Sequence, residues 1–436
     1  MNSTCGDVYC WGQGREGQLG SAPDKEFVVP YPTKVVGLPP NCFSQVACGD
    51  TFTIALTNEG SVFLWGKSGD GSLHMEPVVV KGIDRAVHIA AGDRHCLAVV
   101  KHVGSGEQHV LGWRNSFHGS LANVVDASVP SRIVGICNAA MVAAGTDTSA
   151  CVTLDGKVLV WGNNGKFSTL GLPPNVDIVS EPTQLFFDEP IREISLGSLY
   201  GAAVTVSGKL FTWGFGGAGN LGHGDRKNRS VPTLVEQLLA IPIKSVACTV
   251  GQACHCTLPD VRGKENPHTM VVSCDGRLFT FGMCHKGVLG NHSRKILAPS
   301  FGDELEPYCV GSPTRDNPNV SGYLRGLVCV QAISANIHAA VLTEDGNVYS
   351  FGCGSGGRMG LRRYMEGLHG GRSRMKCYVS VPSPIEAFSG TPLVALSISS
   401  GRRHMAAIVG KAKMQRVPSD TYDDGEVNVT SDERSN

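Results

Sequence analysis

A glycine pattern in this chain matches the loop that binds phosphate in dinucleotide-binding proteins. The pattern Gly-x-Gly-x-x-Gly occurs at residues 12–17, 214–219 and 352–357. It binds a pyrophosphate where a strand precedes it and a helix follows it. In this chain it recurs within a longer strand-rich repeat, and no segment has the pattern of a long amphipathic helix. We therefore interpret it as a repeated glycine turn rather than as a cofactor site.

Cysteine and histidine residues offer a second kind of chemistry, because thiolate and imidazole groups bind zinc. Cys254-His255-Cys256 and Cys284-His285 are the groups of this kind. Their adjacent or alternate spacing suits a strand better than a tetrahedral site, so we expect neither a metal nor another cofactor. Histidines also occupy equivalent inner turns of the repeat, at His95, His255, His338 and His404. A residue repeated in this way usually satisfies backbone groups. No nucleophile with a base and an orienting partner is visible, and we predict no covalent catalysis.

These residues belong to a sequence phrase that occurs seven times, in the form apolar-x-x-aromatic-Gly with small variations. Its aromatic positions are Trp11, Trp65, Trp113, Trp161, Trp213, Phe281 and Phe351. All five tryptophans of the chain lie in this one slot. A strand-rich repeat with a period of roughly 50 residues is typical of a β-propeller or a solenoid.

A second phrase precedes the first in each repeat and consists of an apolar strand, a turn that contains glycine, and another strand. Ile89-Ala90-Ala91-Gly92-Asp93 is one copy. The two phrases are joined by short turns, several of which are Asp-Gly, as at 155–156, 275–276 and 345–346. Asp-Gly between apolar runs predicts a β-hairpin, because the turn needs positive φ and glycine adopts it without steric cost. Each repeat is therefore predicted to be an antiparallel hairpin with flanking strands.

The two ends of the chain contain complementary halves of one repeat. Asp7 to Trp11 has no strand of the second phrase before it, and residues 396–408 have no Trp-Gly strand after them. Pairing of these halves would close a ring and remove the exposed sheet edges. We therefore predict an all-β fold, a seven-bladed β-propeller over residues 1–411 closed by the N- and C-terminal segments. Residues 412–436 are acidic and poor in apolar groups, and we expect them to be disordered.

Composition narrows the classes of partner and compartment. The 38 basic and 38 acidic residues cancel, so the chain as a whole has no bias toward nucleic acid or membranes. No apolar run approaches the roughly 20 residues of a membrane span, and the first residues do not resemble a secretory signal. The 16 cysteines include no Cys-x-x-Cys pair and fall mostly at apolar strand positions. We expect reduced thiols and a location in the nucleus or cytoplasm.

The repeat resembles that of the regulator of chromosome condensation family. Residues 201–225, which combine an apolar strand, Leu-Phe-Thr-Trp-Gly and a glycine turn ending in Leu-Gly-His-Gly-Asp, match it closely. The resemblance covers nearly all of residues 6–411 and implies a seven-bladed propeller closed by its termini. The founding member is the guanine-nucleotide exchange factor for the small GTPase Ran. Other members are exchange factors for other GTPases, ubiquitin-ligase modules, light receptors or scaffolds, so the fold alone does not assign the function.

The resemblance also points to residues that would face a GTPase. Acidic residues in the inner turns of two successive repeats do so in the Ran exchange factor, and Asp93 and Asp147 occupy those turns here. A later turn contributes a histidine, which would correspond to His255, and His95 shares the turn of Asp93. The family's wedge-like insertion near Trp113 is missing. An ultraviolet receptor is disfavoured, because no tryptophan lies outside the repeat slot.

We therefore predict an exchange factor for a small GTPase, with Ran as the expected one, that acts by stabilising the nucleotide-free state. The alternative is a non-catalytic propeller scaffold that recruits protein or chromatin partners. A basic stretch over residues 358–376 is a further candidate site, with Arg358, Arg362, Arg363, Arg372, Arg374 and Lys376 opposed only by Glu366. This stretch is either a solvated loop or a binding site for the phosphates of chromatin or for an acidic partner.

Replacing Arg362, Arg363, Arg372 and Arg374 by alanine tests the second interpretation of the basic stretch. Each phosphate contact releases counterions, so the variant should bind DNA or nucleosomes more weakly and with a flatter dependence on salt. Binding curves measured across a series of salt concentrations give both quantities. Identical curves for the variant and the parent would show that the stretch is a solvated loop.

Overall fold

The computed structural model describes residues 5–20, 27–69, 71–250, 266–291, 303–312, 324–361 and 378–411. In these ranges 28 strands form seven antiparallel sheets of four strands each. His255, residues 362–376 of the basic stretch and the tail 412–436 lie outside the described residues. No helix in the described part of the chain is long and apolar enough to cross a lipid bilayer.

Six blades are each built from four consecutive strands. Blade one contains β3 (Phe43–Cys48), β4 (Phe52–Thr57), β5 (Val62–Lys67) and β6 (Leu73–Val79). Blade two contains β7 (Ala86–Ala91), β8 (Cys96–Lys101), β9 (Gln108–Trp113) and β10 (Ser131–Arg132). Blade three contains β11 (Ala139–Ala144), β12 (Thr148–Thr153), β13 (Val158–Asn163) and β14 (Ile178–Leu185).

The next three blades follow the same order. Blade four contains β15 (Ile191–Leu196), β16 (Tyr200–Thr205), β17 (Leu210–Gly214) and β18 (Arg229–Leu234). Blade five contains β19 (Ile243–Cys248), β20 (His268–Ser273), β21 (Leu278–Gly282) and β22 (Glu304–Cys309). Blade six contains β23 (Cys329–Ser334), β24 (His338–Thr343), β25 (Val348–Cys353) and β26 (Tyr378–Pro384). Short 3-10 turns occupy Glu236–Leu238, His285–Gly287 and Ser355–Gly357.

Blade seven combines the two ends of the chain. Its sheet has the order β2 (Val28–Lys34), β1 (Asp7–Gln13), β28 (His404–Lys411) and β27 (Leu393–Ser400). The register between β1 and β28 pairs Cys10 with Ala406 and Trp11 with Met405. The predicted seven-bladed propeller closed by its termini is therefore confirmed, as is the assignment of complementary half-repeats.

Tryptophans join neighbouring blades. Each indole is buried, and four of the five donate their Nε1–H to a backbone carbonyl in the preceding blade of the ring. These hydrogen bonds are Trp65 to Gln18 at 2.9 Å, Trp161 to Ser120 at 3.0 Å, Trp213 to Thr169 at 3.0 Å and Trp11 to Arg358 at 3.1 Å. Each acceptor lies in the loop between the third and fourth strands of its blade. The slot therefore favours tryptophan because a large apolar surface and one N–H donor are both needed there.

In six of the seven blades the residue after the aromatic position is glycine, and backbone geometry favours it there. Gly162 has φ of +109°, and a Cβ on it would lie 2.4 Å from the carbonyl oxygen of Asp147. The same collision with the neighbouring inner turn recurs at Gly12, Gly66, Gly214, Gly282 and Gly352. A turn rather than a helix follows Gly214, so the glycine pattern has no dinucleotide-binding architecture behind it.

Histidines fill a buried slot in four blades, at the first residue of the second strand or, for His95, immediately before it. His95 Nε2 lies 2.8 Å from Ser149 Oγ of the next blade, and His404 Nε2 lies 2.9 Å from Thr53 Oγ1. The blade-five member is His268, which pairs with Gly282 as His404 pairs with Gly12. In blade five the position equivalent to His95 and His404 is therefore held by His268, whereas His255 lies outside the described residues. Residues 251–265 lengthen the sequence between β19 and β20, so the spacing of the repeat alone does not identify His268 as the equivalent residue.

The slot histidines should make the fold sensitive to acid. Burial lowers the pKa of His95 and His404 from 6.5 to about 3, lowers that of His268 to about 4, and lowers that of His338 well below its ordinary value. Below about pH 6.5 these histidines are therefore protonated in the unfolded chain but not in the folded one. For each pH unit below that value, each histidine lowers the free energy of unfolding by about 1.4 kcal/mol. The melting temperature should fall as the pH is lowered from about 6.5 toward about 4.

His404→Phe supplies the matched variant, because Phe52 occupies the same slot in blade one. Its melting temperature should depend less on pH than that of the parent over the same range. Parallel curves for the two proteins would contradict the assignment of acid sensitivity to these histidines.

Candidate functional site

Inner turns and long loops lie together at one end of the propeller. Successive antiparallel strands reverse direction, so the turn between the first and second strands of a blade and the loop between the third and fourth strands reach the same end. We call this end the site face. The turns of blades two and three are adjacent there, since Asp93 N donates to Gly145 O at 3.3 Å. A Cβ on Gly92 would lie 2.4 Å from that oxygen, so this close approach requires glycine.

Asp93 follows β7 and Gly92 in the inner turn of blade two. Its side chain is buried, with 6% of the residue exposed. The pKa of this carboxyl is raised from 3.8 to about 7, chiefly by burial and then by the negative charges of Asp50 and Asp147. A hydrogen bond from Thr146 and the charge of Arg402 act in the opposite direction. The surroundings of Asp93 thus disfavour its ionised form, and carboxyls with a raised pKa are common at functional sites.

Asp147 lies in the inner turn of blade three, next to Asp93. It is 7% exposed, and its Oδ2 lies 3.0 Å from Nδ1 of His118. The turn is held in place because the Asp147 carbonyl accepts a hydrogen bond from Asn163 N at 2.9 Å. His118 belongs to the loop between β9 and β10, so its contact with Asp147 crosses from blade two to blade three. His118 is not predictable from the sequence, because nothing in the repeat indicates which side chain of a loop faces the next blade.

An aromatic and cationic rim lies beside the two carboxyls. The Arg94 guanidinium carbon lies 4.9 Å from the centre of the Phe117 ring. Phe117 precedes His118 in the loop and is 40% exposed. The arrangement provides two nearly buried carboxyl groups, one partly exposed imidazole and one exposed aromatic ring. Among the described residues no group of three or more potential ligands is placed to hold a metal ion. The chemistry that these groups support is recognition of a cation.

The structure places some of the predicted site residues on the site face and others inside the junctions between blades. Asp93 and Asp147 lie together on the site face. His95 has no exposed surface and bonds to Ser149, so it joins two blades and offers nothing to the surface of a partner. Arg358 is also buried, at 6% exposure, and donates to the carbonyls of Ser355 at 2.7 Å and Arg402 at 3.2 Å. Its assignment to a solvent-exposed basic loop was therefore wrong, because its side chain joins the loop of blade six to the inner turn of blade seven.

The electrostatic coupling of the two aspartates can be measured without a partner. Removing the charge of Asp147 should lower the pKa of Asp93 from about 7 toward its ordinary value, because a nearby like charge raises the pKa of a carboxyl. Carbon-13 NMR of the aspartate carboxyls in Asp147→Asn gives this value directly. Asp155→Asn is the control, since Asp155 lies in the opposite hairpin of the same blade. An unchanged Asp93 pKa in Asp147→Asn would mean that the two carboxyls do not interact.

Comparisons with known proteins agree with this architecture. A family model described as RCC1-like domain matches residues 2–299, and a model for the Regulator of chromosome condensation (RCC1) repeat matches residues 345–408. The Ultraviolet-B receptor UVR8 of Arabidopsis thaliana is 30% identical over 372 residues, which span 82% of this chain and 75% of the relative. The Secretion-regulating guanine nucleotide exchange factor of Mus musculus is 34% identical over 243 residues, half of each protein.

Solved structures show the same fold at low sequence identity. Prp20p from Saccharomyces cerevisiae, described with its binding to Gsp1p and histones, superposes with a TM-score of 0.71 and 18% identity. The superposition covers 94% of this chain and 92% of Prp20p. The family model covers more than half of the present sequence, and the seven blades agree with it. The chain belongs to the RCC1-like domain family.

Proposed function

We propose that this propeller binds a small GTPase on its site face and accelerates release of the bound nucleotide by stabilising the nucleotide-free state. The observation that carries the proposal is the juxtaposition of Asp93 and Asp147 in adjacent inner turns, both nearly buried and both on one face. The relationship to a guanine nucleotide exchange factor supports it. Ran is the GTPase that the family resemblance favours.

Exchange of this kind requires no covalent chemistry. A protein that binds the empty GTPase more tightly than the loaded one weakens nucleotide affinity by the same factor, because binding free energies are reciprocal. The surface must therefore be rigid and complementary to the phosphate-binding region of the GTPase, which carries positive charge. Backbone hydrogen bonds that join the inner turns of blades one, two and three supply the rigidity, and the aspartates supply the charge.

The burial of the carboxyls strengthens their interaction with a cation. A lysine or arginine that reaches Asp93 and Asp147 would meet them away from most solvent, where electrostatic interactions are screened less. It would also restore the ionised state of Asp93 that burial disfavours. Phe117 provides an exposed aromatic ring next to this point, the type of residue that often anchors a protein interface.

The alternative is a non-catalytic scaffold that uses the same face to recruit a basic partner. Members of the family differ in function although they share the fold, so the face alone does not require exchange. A light-receptor function is not proposed, because the tryptophans are buried in the repeat slot, where four of them bond to the neighbouring blade.

Chromatin or another acidic partner is proposed as a second contact, through the basic residues between Arg362 and Lys376. Prp20p, which has the same fold, is described with its binding to histones, and this supports a chromatin-related partner for the present chain.

We propose the nucleus or the cytoplasm as the location. One relative is described as mitochondrial, and a mitochondrial location would be the competing result.

Asp147→Asn tests the exchange function. Loss of an interfacial carboxylate that pairs with a cation costs about 2–5 kcal/mol, so the rate of nucleotide release from Ran should fall by on the order of 30-fold or more. Release of a fluorescent nucleotide from Ran measures this rate. Asp155→Asn in the same blade should release nucleotide as fast as the parent, because Asp155 is exposed on the opposite face.

Two results would contradict the proposal in different ways. If the parent accelerates release and Asp147→Asn is equally fast, the face is assigned wrongly. If the parent accelerates release from neither Ran nor a panel of other small GTPases, the scaffold function takes its place.

A further inference from the structure

One repeat departs from the glycine rule at the edge of the candidate site. Six repeats place glycine after the aromatic residue, with φ between +98° at Gly66 and +113° at Gly282. Blade two has Arg114 there instead, and Arg114 adopts φ of +90°. This conformation is strained for a residue with a side chain, and such strain persists where the surrounding structure compensates for it. The Arg114 side chain makes contacts that glycine cannot make, and these contacts can offset the strain.

The Arg114 guanidinium connects three parts of blades one and two. Its Nη1 donates to the carbonyl of Arg94 at 2.9 Å, and its Nη2 donates to the carbonyl of Lys67. The guanidinium carbon lies 3.7 Å from the centre of the Phe52 ring, within the range of a stacked cation–π contact. Arg114 is 8% exposed, so these contacts are made away from solvent. Arg94 directly follows Asp93, so one of these hydrogen bonds holds the inner turn that presents the buried carboxyl.

The arginine occupies the junction where blade one lacks a standard loop. The link between β5 and β6 spans only residues 68–72, whereas residues 164–177 join β13 to β14. At four other junctions this loop supplies the carbonyl that accepts the tryptophan N–H of the next blade. Within the described residues the Trp113 N–H has no acceptor. The short loop therefore leaves the junction between blades one and two without its usual contact, and Arg114 makes a different one.

We propose that Arg114 is a positioning residue for the candidate site. Its guanidinium replaces the missing loop of blade one and fixes the inner turn of Asp93 and Arg94 relative to Asp147. The inference rests on the proposed function in that the turn is taken to contact the partner. The role of Arg114 in holding the turn is independent of which partner binds. Lysine is not an equivalent residue, because it lacks the planar group that stacks on the Phe52 ring and places two separate nitrogens at the two carbonyls.

Hydrogen exchange of the full chain tests the positioning role without a partner. Arg114→Gly restores the common residue, relieves the backbone strain and removes the guanidinium. Amides of residues 92–95 should then exchange at least about tenfold faster than in the parent, as expected of a local loosening. The matched control is the inner turn of blade four, where Gly197 N donates to Tyr200 O and Ser198 N donates to Thr249 O in the same pattern. Its exchange should not change.

Guanidinium ion added at millimolar concentration should restore slow exchange in Arg114→Gly, because it can occupy the vacated position. It should not restore slow exchange in Arg114→Lys and should have no effect on the parent. Unchanged exchange at residues 92–95, equal acceleration in both turns, or absence of rescue would overturn the proposal.

A second measurement separates this inference from the proposed function. If the parent accelerates nucleotide release, Arg114→Gly should be at least about tenfold slower and should recover with guanidinium, whereas Asp147→Asn should not recover. If guanidinium restores slow hydrogen exchange at residues 92–95 in Arg114→Gly but the parent does not accelerate nucleotide release, the positioning role stands and the proposed function fails.

Discussion

The contact between one blade and the next is the interaction on which this structure depends. A blade is a small sheet that cannot bury both of its faces alone, so its stability comes from its neighbours. The tryptophan slot meets this need with a buried ring and an N–H that bonds to the preceding blade, as Trp65 does with Gln18. The junction that completes the ring has the same contact, from Trp11 to Arg358. Pairing of β1 with β28 then ties the ends of the chain together.

Closure of the ring explains how the site face keeps the Asp93 carboxyl buried although burial disfavours its ionised form. The inner turns of blades one, two and three are joined in series by backbone hydrogen bonds, from Asp50 to Asp93 at 3.2 Å and from Asp93 to Gly145 at 3.3 Å. A turn held in this way cannot easily swing its carboxyl into water. Asp93 therefore stays buried beside two other acidic residues, although its ionised form is disfavoured there. Local conflicts of this kind are expected at functional sites and are offset by stability elsewhere.

The repeat tolerates change in its loops because strands and junctions carry the stability. Blade one has a short loop between its third and fourth strands, and blade five has a longer sequence between its first and second strands, yet both keep four strands in the common order. Arg114 shows how a side chain can replace a contact that a loop makes elsewhere. Loops at the site face can therefore diverge within the family without loss of the ring, which is consistent with its varied functions.

Much of the fold could be predicted from the sequence because the repeat is encoded locally. The aromatic slot, the glycine after it and the Asp-Gly hairpins recur with the period of a blade, and the half-repeats at the ends indicate closure. The same periodicity placed Asp93 and Asp147 in successive turns, and therefore on one face. These conclusions need only the alternation of strands and the conformational freedom of glycine.

Contacts between blades were decided by the tertiary structure alone. His118 meets Asp147 from the loop of another blade, and no periodic pattern encodes that pairing. His268 fills the histidine slot of blade five, because the pairing of β20 with β21 sets the register there and the spacing of the repeat does not. Arg358 looked like part of a charged loop by composition, but its guanidinium meets backbone carbonyls inside a blade junction. Sequence periodicity specifies what lies on each blade, whereas the side chains that meet across a junction depend on how the closed ring brings the blades together.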